Sequence, residues 1–201
     1  MSFSIDGKTA IVTGAANGIG LAIARHFASR GANVMFADMD DTGLANELGD
    51  VSEDSNIRWF SGDLREKLTI ANLLSGTIDA FDSIDILVNG SRQMLTTSPL
   101  DADDDSLNIL LQQNLMTSFR LSQMVARRMI KQSEGRDEGP AGSIINLSSI
   151  AARRAHPDLL AYSVSTAALD QMTRSMAVAL APKRIRVNAV AFGSVMSASL
   201  K

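Results

Sequence analysis

Short apolar runs alternate with longer helix-patterned stretches along the 201 residues, and this rhythm restricts the fold more than any other feature. The strand-like runs are Thr9–Thr13, Asn33–Ala37, Ile57–Phe60, Ile84–Val88, Ser143–Leu147 and Ile185–Val190. Helical patterns occupy Gly18–Arg30, Thr42–Leu48, Arg65–Ala80, Ser106–Lys131 and Ala161–Ala181. Strands separated by helices pair in parallel through right-handed crossovers. Runs such as Ile84-Asp-Ile-Leu-Val88 are apolar almost throughout, as expected of strands that helices cover on both faces. The reading is an α/β fold with a doubly wound parallel sheet. The length fits a single domain over residues 1–201.

Composition narrows the function classes. A hydrophobic content of 45% with 20% charged residues excludes a disordered or collagen-like chain. The longest apolar run near the C-terminal end, Met176 to Pro182, falls far short of the roughly 20 residues a bilayer span needs, so no membrane partner is expected. The N-terminal Met-Ser-Phe-Ser-Ile-Asp lacks the basic start and apolar core of a signal peptide. A soluble, cytoplasmic domain is the expectation. With no Cys there is no disulfide framework and no thiolate metal site. His26 and His156 belong to no ligand-spaced cluster, so no metal is expected. A formal charge of −3 argues against nucleic acid as a partner. Asp101, Asp103, Asp104 and Asp105 lack the spacing of a calcium loop and read as stabilising the start of the long helix.

Directly after the first strand comes Thr13-Gly14-Ala15-Ala16-Asn17-Gly18-Ile19-Gly20, then an apolar helix. Glycines there allow a tight turn and let backbone approach a pyrophosphate, which the free N–H groups of the helix start then face. Asp38 stands at the end of the second strand, 18 residues past Gly20. A carboxylate in that place accepts hydrogen bonds from ribose hydroxyls and repels a 2′-phosphate. Met39 follows it, and the turn holds no Arg or Lys, so NAD is favoured over NADP.

These residues, in this order, resemble the short-chain dehydrogenase/reductase family over essentially the whole chain. Thr13–Gly20 matches the family's T-G-x-x-x-G-x-G turn, and Gly62-Asp63-Leu64 resembles the segment whose Asp contacts adenine. Asn89 matches the first Asn of N-N-A-G, and Asn114 sits where the family has its active-site Asn. Ser149 precedes Tyr162 by 13 residues, the family's usual separation, and Ile185-Arg-Val-Asn-Ala-Val190 resembles its sixth strand. The resemblance implies a Rossmann-type fold and hydride transfer between a nicotinamide and a small alcohol or carbonyl substrate. Tyr162 is then the general acid/base, Ser149 the hydrogen-bond donor to the developing oxyanion, and Asn114 part of a water relay. The implied cofactor-binding set is Thr13, Gly14, Asn17, Gly18, Ile19, Gly20, Asp38, Asp63, Leu64, Asn89 and Ser197. Two apolar stripes, Leu107, Leu111, Leu115 and Phe119, then Leu121, Val125 and Met129, mean two covered faces, one on the sheet and the other on a second copy, as in a homodimer or homotetramer, or on a wider intramolecular core.

The chain departs from the family pattern in four places. The family's Tyr-x-x-x-Lys reads Tyr162-Ser163-Val164-Ser165-Thr166. The i+4 residue shares a helix face with the Tyr, and the family's Lys there favours the phenolate. A unit charge at 4 Å is worth about 4 kcal/mol at an effective dielectric of 20, so the loss amounts to two to three orders of magnitude in rate by the relation of about 1.4 kcal/mol per decade. The N-N-A-G segment reads Asn89-Gly90-Ser91-Arg92, a bulky cation where the family keeps Gly. Phe192-Gly193 stands for the Pro-Gly after the sixth strand, with Ser197 in place of a following Thr. Lys201 comes before the family's seventh strand and last helix, which leaves the sixth strand as a sheet edge. The alternative function is therefore a catalytically silent nucleotide-binding or assembly module of the same ancestry.

Overall fold

The computed structural model describes residues 4–49, 51–52, 55–136 and 138–195. Its strands are β1 (Thr9–Thr13), β2 (Asn33–Asp38), β3 (Ile57–Ser61), β4 (Ile86–Asn89), β5 (Gly142–Ser149) and β6 (Ile185–Phe192). They form one parallel sheet in the order β3-β2-β1-β4-β5-β6. The expected doubly wound topology is present. The chain direction of travel across the sheet reverses between β1 and β4, and a crevice opens beyond the strand C-termini there.

The helices are α1 (Gly18–Ser29), α2 (Asp41–Leu48), α3 (Lys67–Phe81), α4 (Ser106–Leu110), α5 (Thr117–Gln132) and α6 (Leu160–Leu180). Successive strand residues point to opposite faces. In β1, Ala10 and Val12 therefore join Val34, Phe36, Ala24 and Leu44 under α1 and α2. Ile11 joins Met35, Leu87, Leu73 and Val125 under α3 and α5. Phe36, Ile11, Leu73 and Leu87 are fully buried, each contributing about 1.5–3 kcal/mol by leaving water.

Several boundaries differ from the sequence reading by one or two residues, and two elements start two residues later because side chains take over backbone bonds. β4 starts at Ile86, since the Gln132 side chain takes both backbone groups of Ile84: its Oε1 accepts the N–H at 3.2 Å and its Nε2 donates to the carbonyl at 2.6 Å. α3 starts at Lys67, since Asp63 Oδ1 accepts the Arg65 N–H at 2.9 Å in a preceding turn.

The larger correction concerns the long helix over Ser106–Lys131, which is not regular. Between α4 and α5 a π-helical turn runs over Leu111–Met116. The Thr117 hydroxyl donates to the Gln112 carbonyl and the Ser118 hydroxyl to the Asn114 carbonyl, both at 3.1 Å. Such widened turns recur at functional sites, and this one carries Asn114. At its start, Asp104 accepts N–H bonds from Ser98 and Ser106, fixing the entry to α4. Leu121, Val125 and Met129 are core, whereas Leu111, Leu115 and Phe119 are half-buried.

Candidate active site

The turn between β1 and α1 is shaped by contacts that only glycine permits. Gly14 has φ +69°, and a Cβ there would lie 2.8 Å from the Gly90 carbonyl group. A Cβ on Gly20 would overlap the Gly14 carbonyl oxygen. Backbone thus comes close to the cleft without side chains filling it. The Asn17 side chain makes no capping bond to α1, and no acidic residue stands in the first turn. The first N–H groups of α1 are left for an anion. α2 differs: Asp40 Oδ1 caps the Gly43 N–H at 2.9 Å.

Asp38 closes the other side of this turn. Its Oδ2 accepts the Ala16 N–H at 3.0 Å and its Oδ1 the Asp40 N–H at 3.1 Å. A carboxylate has about four acceptor positions, so it ties the turn to β2 and keeps capacity toward the cleft. Gly14, Asn17, Gly18, Ile19, Gly20 and Asp38 all line one cleft of about 490 Å³, together with Met39, Arg65, Arg92 and Phe192.

Four residues of the expected cofactor set lie elsewhere. Thr13 is buried, and its Oγ1 accepts the Gly90 and Ser91 N–H groups at 3.0 and 3.1 Å, stitching β1 to the end of β4. Leu64 is core under α3. Asn89 shares a strand face with Leu87, so its amide is buried and donates to Ser122 Oγ (2.9 Å) and Asn146 Oδ1 (2.7 Å). Asp63 lines a neighbouring hollow and pairs with Arg65 through Nε at 2.9 Å and Nη2 at 2.6 Å. That pairing holds its carboxyl below the ordinary value of 3.8. Ser197 lies outside the described residues.

Ser149 and Tyr162 meet in an adjoining hollow of about 710 Å³, which shares Ile19, Arg92 and Gln93 with the first cleft. Ser149 ends β5, and its Oγ accepts the Ala151 N–H at 3.2 Å. Tyr162 sits in the first turn of α6, buried against Leu110 and Ala161. Asn114 does not reach toward Tyr162. Its Oδ1 accepts the Gln93 N–H at 2.8 Å, and its Nδ2 donates to the Gln93 carbonyl (2.9 Å) and to Ser165 Oγ (3.2 Å). Thr166 is buried and donates to the Tyr162 and Ser163 carbonyls of its own helix.

Arg92 is the neighbour of Tyr162 that sequence reasoning missed. Its Nη1 donates to Tyr162 Oη at 3.1 Å, and its guanidinium lies 4.2 Å from the centre of the Phe192 ring. The available signal was a pair of expectations from the family resemblance: Arg92 where a small residue was expected and Thr166 where a cation was expected.

The sequence model of the short chain dehydrogenase family matches residues 8–201. The chain belongs to the short-chain dehydrogenase family. The 7alpha-hydroxysteroid dehydrogenase of Escherichia coli (strain K12) is 32% identical over 199 residues, spanning 98% of this chain and 74% of that protein. An uncharacterized oxidoreductase of Thermotoga maritima is 29% identical over 198 residues, spanning 98% and 75%. Among solved structures, a short-chain dehydrogenase/reductase of unknown function from Caenorhabditis elegans, with cofactor, superposes with a TM-score of 0.84 at 31% identity over 96% of this chain and 72% of its own. NAD+-bound xylitol dehydrogenase gives 0.83 at 30% identity over 94% and 71%. The family, its Rossmann-type fold and its oxidoreductase character apply to this chain. Among the described residues no helix is long and apolar enough to cross a membrane, and no metal-binding cluster occurs.

Proposed function

We propose that the protein is an NAD-preferring oxidoreductase that moves hydride between the nicotinamide and a small alcohol or carbonyl compound. The observation that carries the cofactor preference is the Asp38 carboxylate on the cleft wall beside uncharged Met39. The glycine cradle and the uncapped start of α1 fit a dinucleotide pyrophosphate. Gly14, Asn17–Gly20 and Asp38 would hold the cofactor, which when bound supplies or takes the hydride. The NAD+-bound state of the similar xylitol dehydrogenase supports the same preference.

The chain's own groups do the rest. Tyr162 Oη holds the proton exchanged with the substrate oxygen. The Ser149 hydroxyl donates to that oxygen as charge develops on it. Asn114 fixes the Gln93 backbone from both sides and so orients the segment between the two cavities. We also propose that residues 1–201 act as one dinucleotide-binding unit in the cytoplasm, and that two copies associate. Half-buried Leu115 and Phe119 and exposed Val164 and Val178 support that association.

Titration with NADH and, separately, NADPH, followed by nicotinamide fluorescence, tests the reading. Micromolar NADH binding with much weaker NADPH binding is expected; no binding of either overturns it. A second reading, a silent nucleotide-binding module, rests on Thr166, whose hydroxyl is turned back onto its own helix. It predicts NADH binding without oxidation of any simple alcohol.

A further inference from the structure

We propose that Arg92, from the segment after β4, supplies to Tyr162 the positive charge that the residue one helical turn along α6 does not. The inference rests on the oxidoreductase reading only for its use in catalysis; its physical content concerns two side chains. Arg92 Nη1 donates to Tyr162 Oη at 3.1 Å and lies 3.5 Å from the Ser148 carbonyl. When the phenol O–H breaks, its proton leaves to water in the hollow, and the oxygen left behind accepts a charge-assisted bond from a guanidinium that never deprotonates.

The guanidinium is held for this purpose. Thr13 Oγ1 pins the backbone at Gly90 and Ser91, Gln113 Nε2 donates to Ser91 Oγ at 3.2 Å, and Asn114 pins Gln93. Residues on both sides of Arg92 are thus anchored, and the Phe192 ring supports the guanidinium face. No carboxylate pairs with Arg92 among the described residues. The other charged or titratable groups around Tyr162 are Arg154 and His156, which line the same hollow, and Asp170, two turns along α6 and paired with Arg153 at 3.5 Å. The charge that touches the phenol oxygen is therefore positive.

Tyr162 is the chain's one tyrosine, so the ultraviolet absorbance of tyrosinate reports it alone. The titration is run on wild type, Arg92→Gln, Arg92→Lys and the double variant Arg92→Gln with Thr166→Lys, with circular dichroism marking the range in which each is folded. Wild type should form tyrosinate at lower pH than Arg92→Gln, the apparent ionisation constant differing on the order of tenfold or more. Arg92→Lys should fall between them, and Thr166→Lys should restore much of the loss. The pH profile of alcohol oxidation should move in the same direction. Coincident titrations of wild type and Arg92→Gln would overturn the proposal. So would faster turnover and tighter NADH binding in Arg92→Gln, which would make the side chain a plug. The titration uses neither cofactor nor substrate, so its outcome is independent of whether the oxidoreductase reading holds.

Discussion

The β1–β2 end of the cleft is shaped by backbone; the β4–α6 end is shaped by side chains. The glycine turn leaves little latitude, because a Cβ at Gly14 meets the Gly90 backbone and one at Gly20 meets the Gly14 carbonyl. Asp38 is tied into the same turn by the Ala16 N–H. The far end keeps Ser149 and Tyr162, yet the charge beside the phenol comes from Arg92, 70 residues earlier in the chain. A backbone-defined site tolerates few changes, whereas a point charge is supplied from any segment that comes within reach. The lesson is that the two halves of one cleft constrain sequence by different physics.

The largest effect that would sharpen this contrast is at Tyr162. Tyr162→Phe should lower turnover by about 10²–10⁴-fold, the range of general acid/base catalysis, while NADH affinity by fluorescence stays within about twofold, less than the 1.4 kcal/mol of a decade. Gly14→Ala should act the other way round. It adds left-handed strain of about 1–2 kcal/mol to a steric overlap, so NADH affinity should fall by ten- to a hundredfold alongside a lower melting temperature. Asp38→Asn should do less. Removing the negative charge should narrow the NADH-over-NADPH preference by about tenfold, measured as the ratio of the two dissociation constants.

The smallest effect lies outside the contrast and serves as its baseline. Asp63 pairs with Arg65 on the rim, and its carboxyl sits below the ordinary value of 3.8. A depressed carboxylate stabilises the fold above its unfolded value and loses that contribution as pH falls through the folded one. Solvent screens the half-exposed pair, so Arg65→Gln should cost only about 0.2–1 kcal/mol in urea unfolding at neutral pH. The difference from wild type should vanish in acid below the folded value. A cost that persists there would mean packing, not charge.

Much of the fold was legible because periodicity encodes it. Each of the six strand-like runs corresponds to a strand, and Thr9–Thr13 does so residue for residue. The π-helical turn was not legible, since apolar spacing over Leu107–Phe119 is the same whether a carbonyl is met four or five residues on. Side-chain direction was also hidden at the strand end. Asn89 sits next to cleft-lining Gly90 in sequence, but the alternation of β4 turns its amide into the core with Leu87 on the same face. Arg92 was legible as a departure and not as a partner, because only the fold brings the end of β4 against the start of α6.

The proposed reaction is hydride transfer in this cleft, with Tyr162 handling the proton. The direct measurement is deuterium transfer from NADH labelled at the nicotinamide C4 to a panel of small carbonyl compounds, read by mass spectrometry of the alcohols. Wild type should yield deuterated alcohol, and Tyr162→Phe should yield at least about a hundredfold less. Wild-type protein that binds NADH and transfers no label, or Tyr162→Phe that transfers it equally well, would contradict the account.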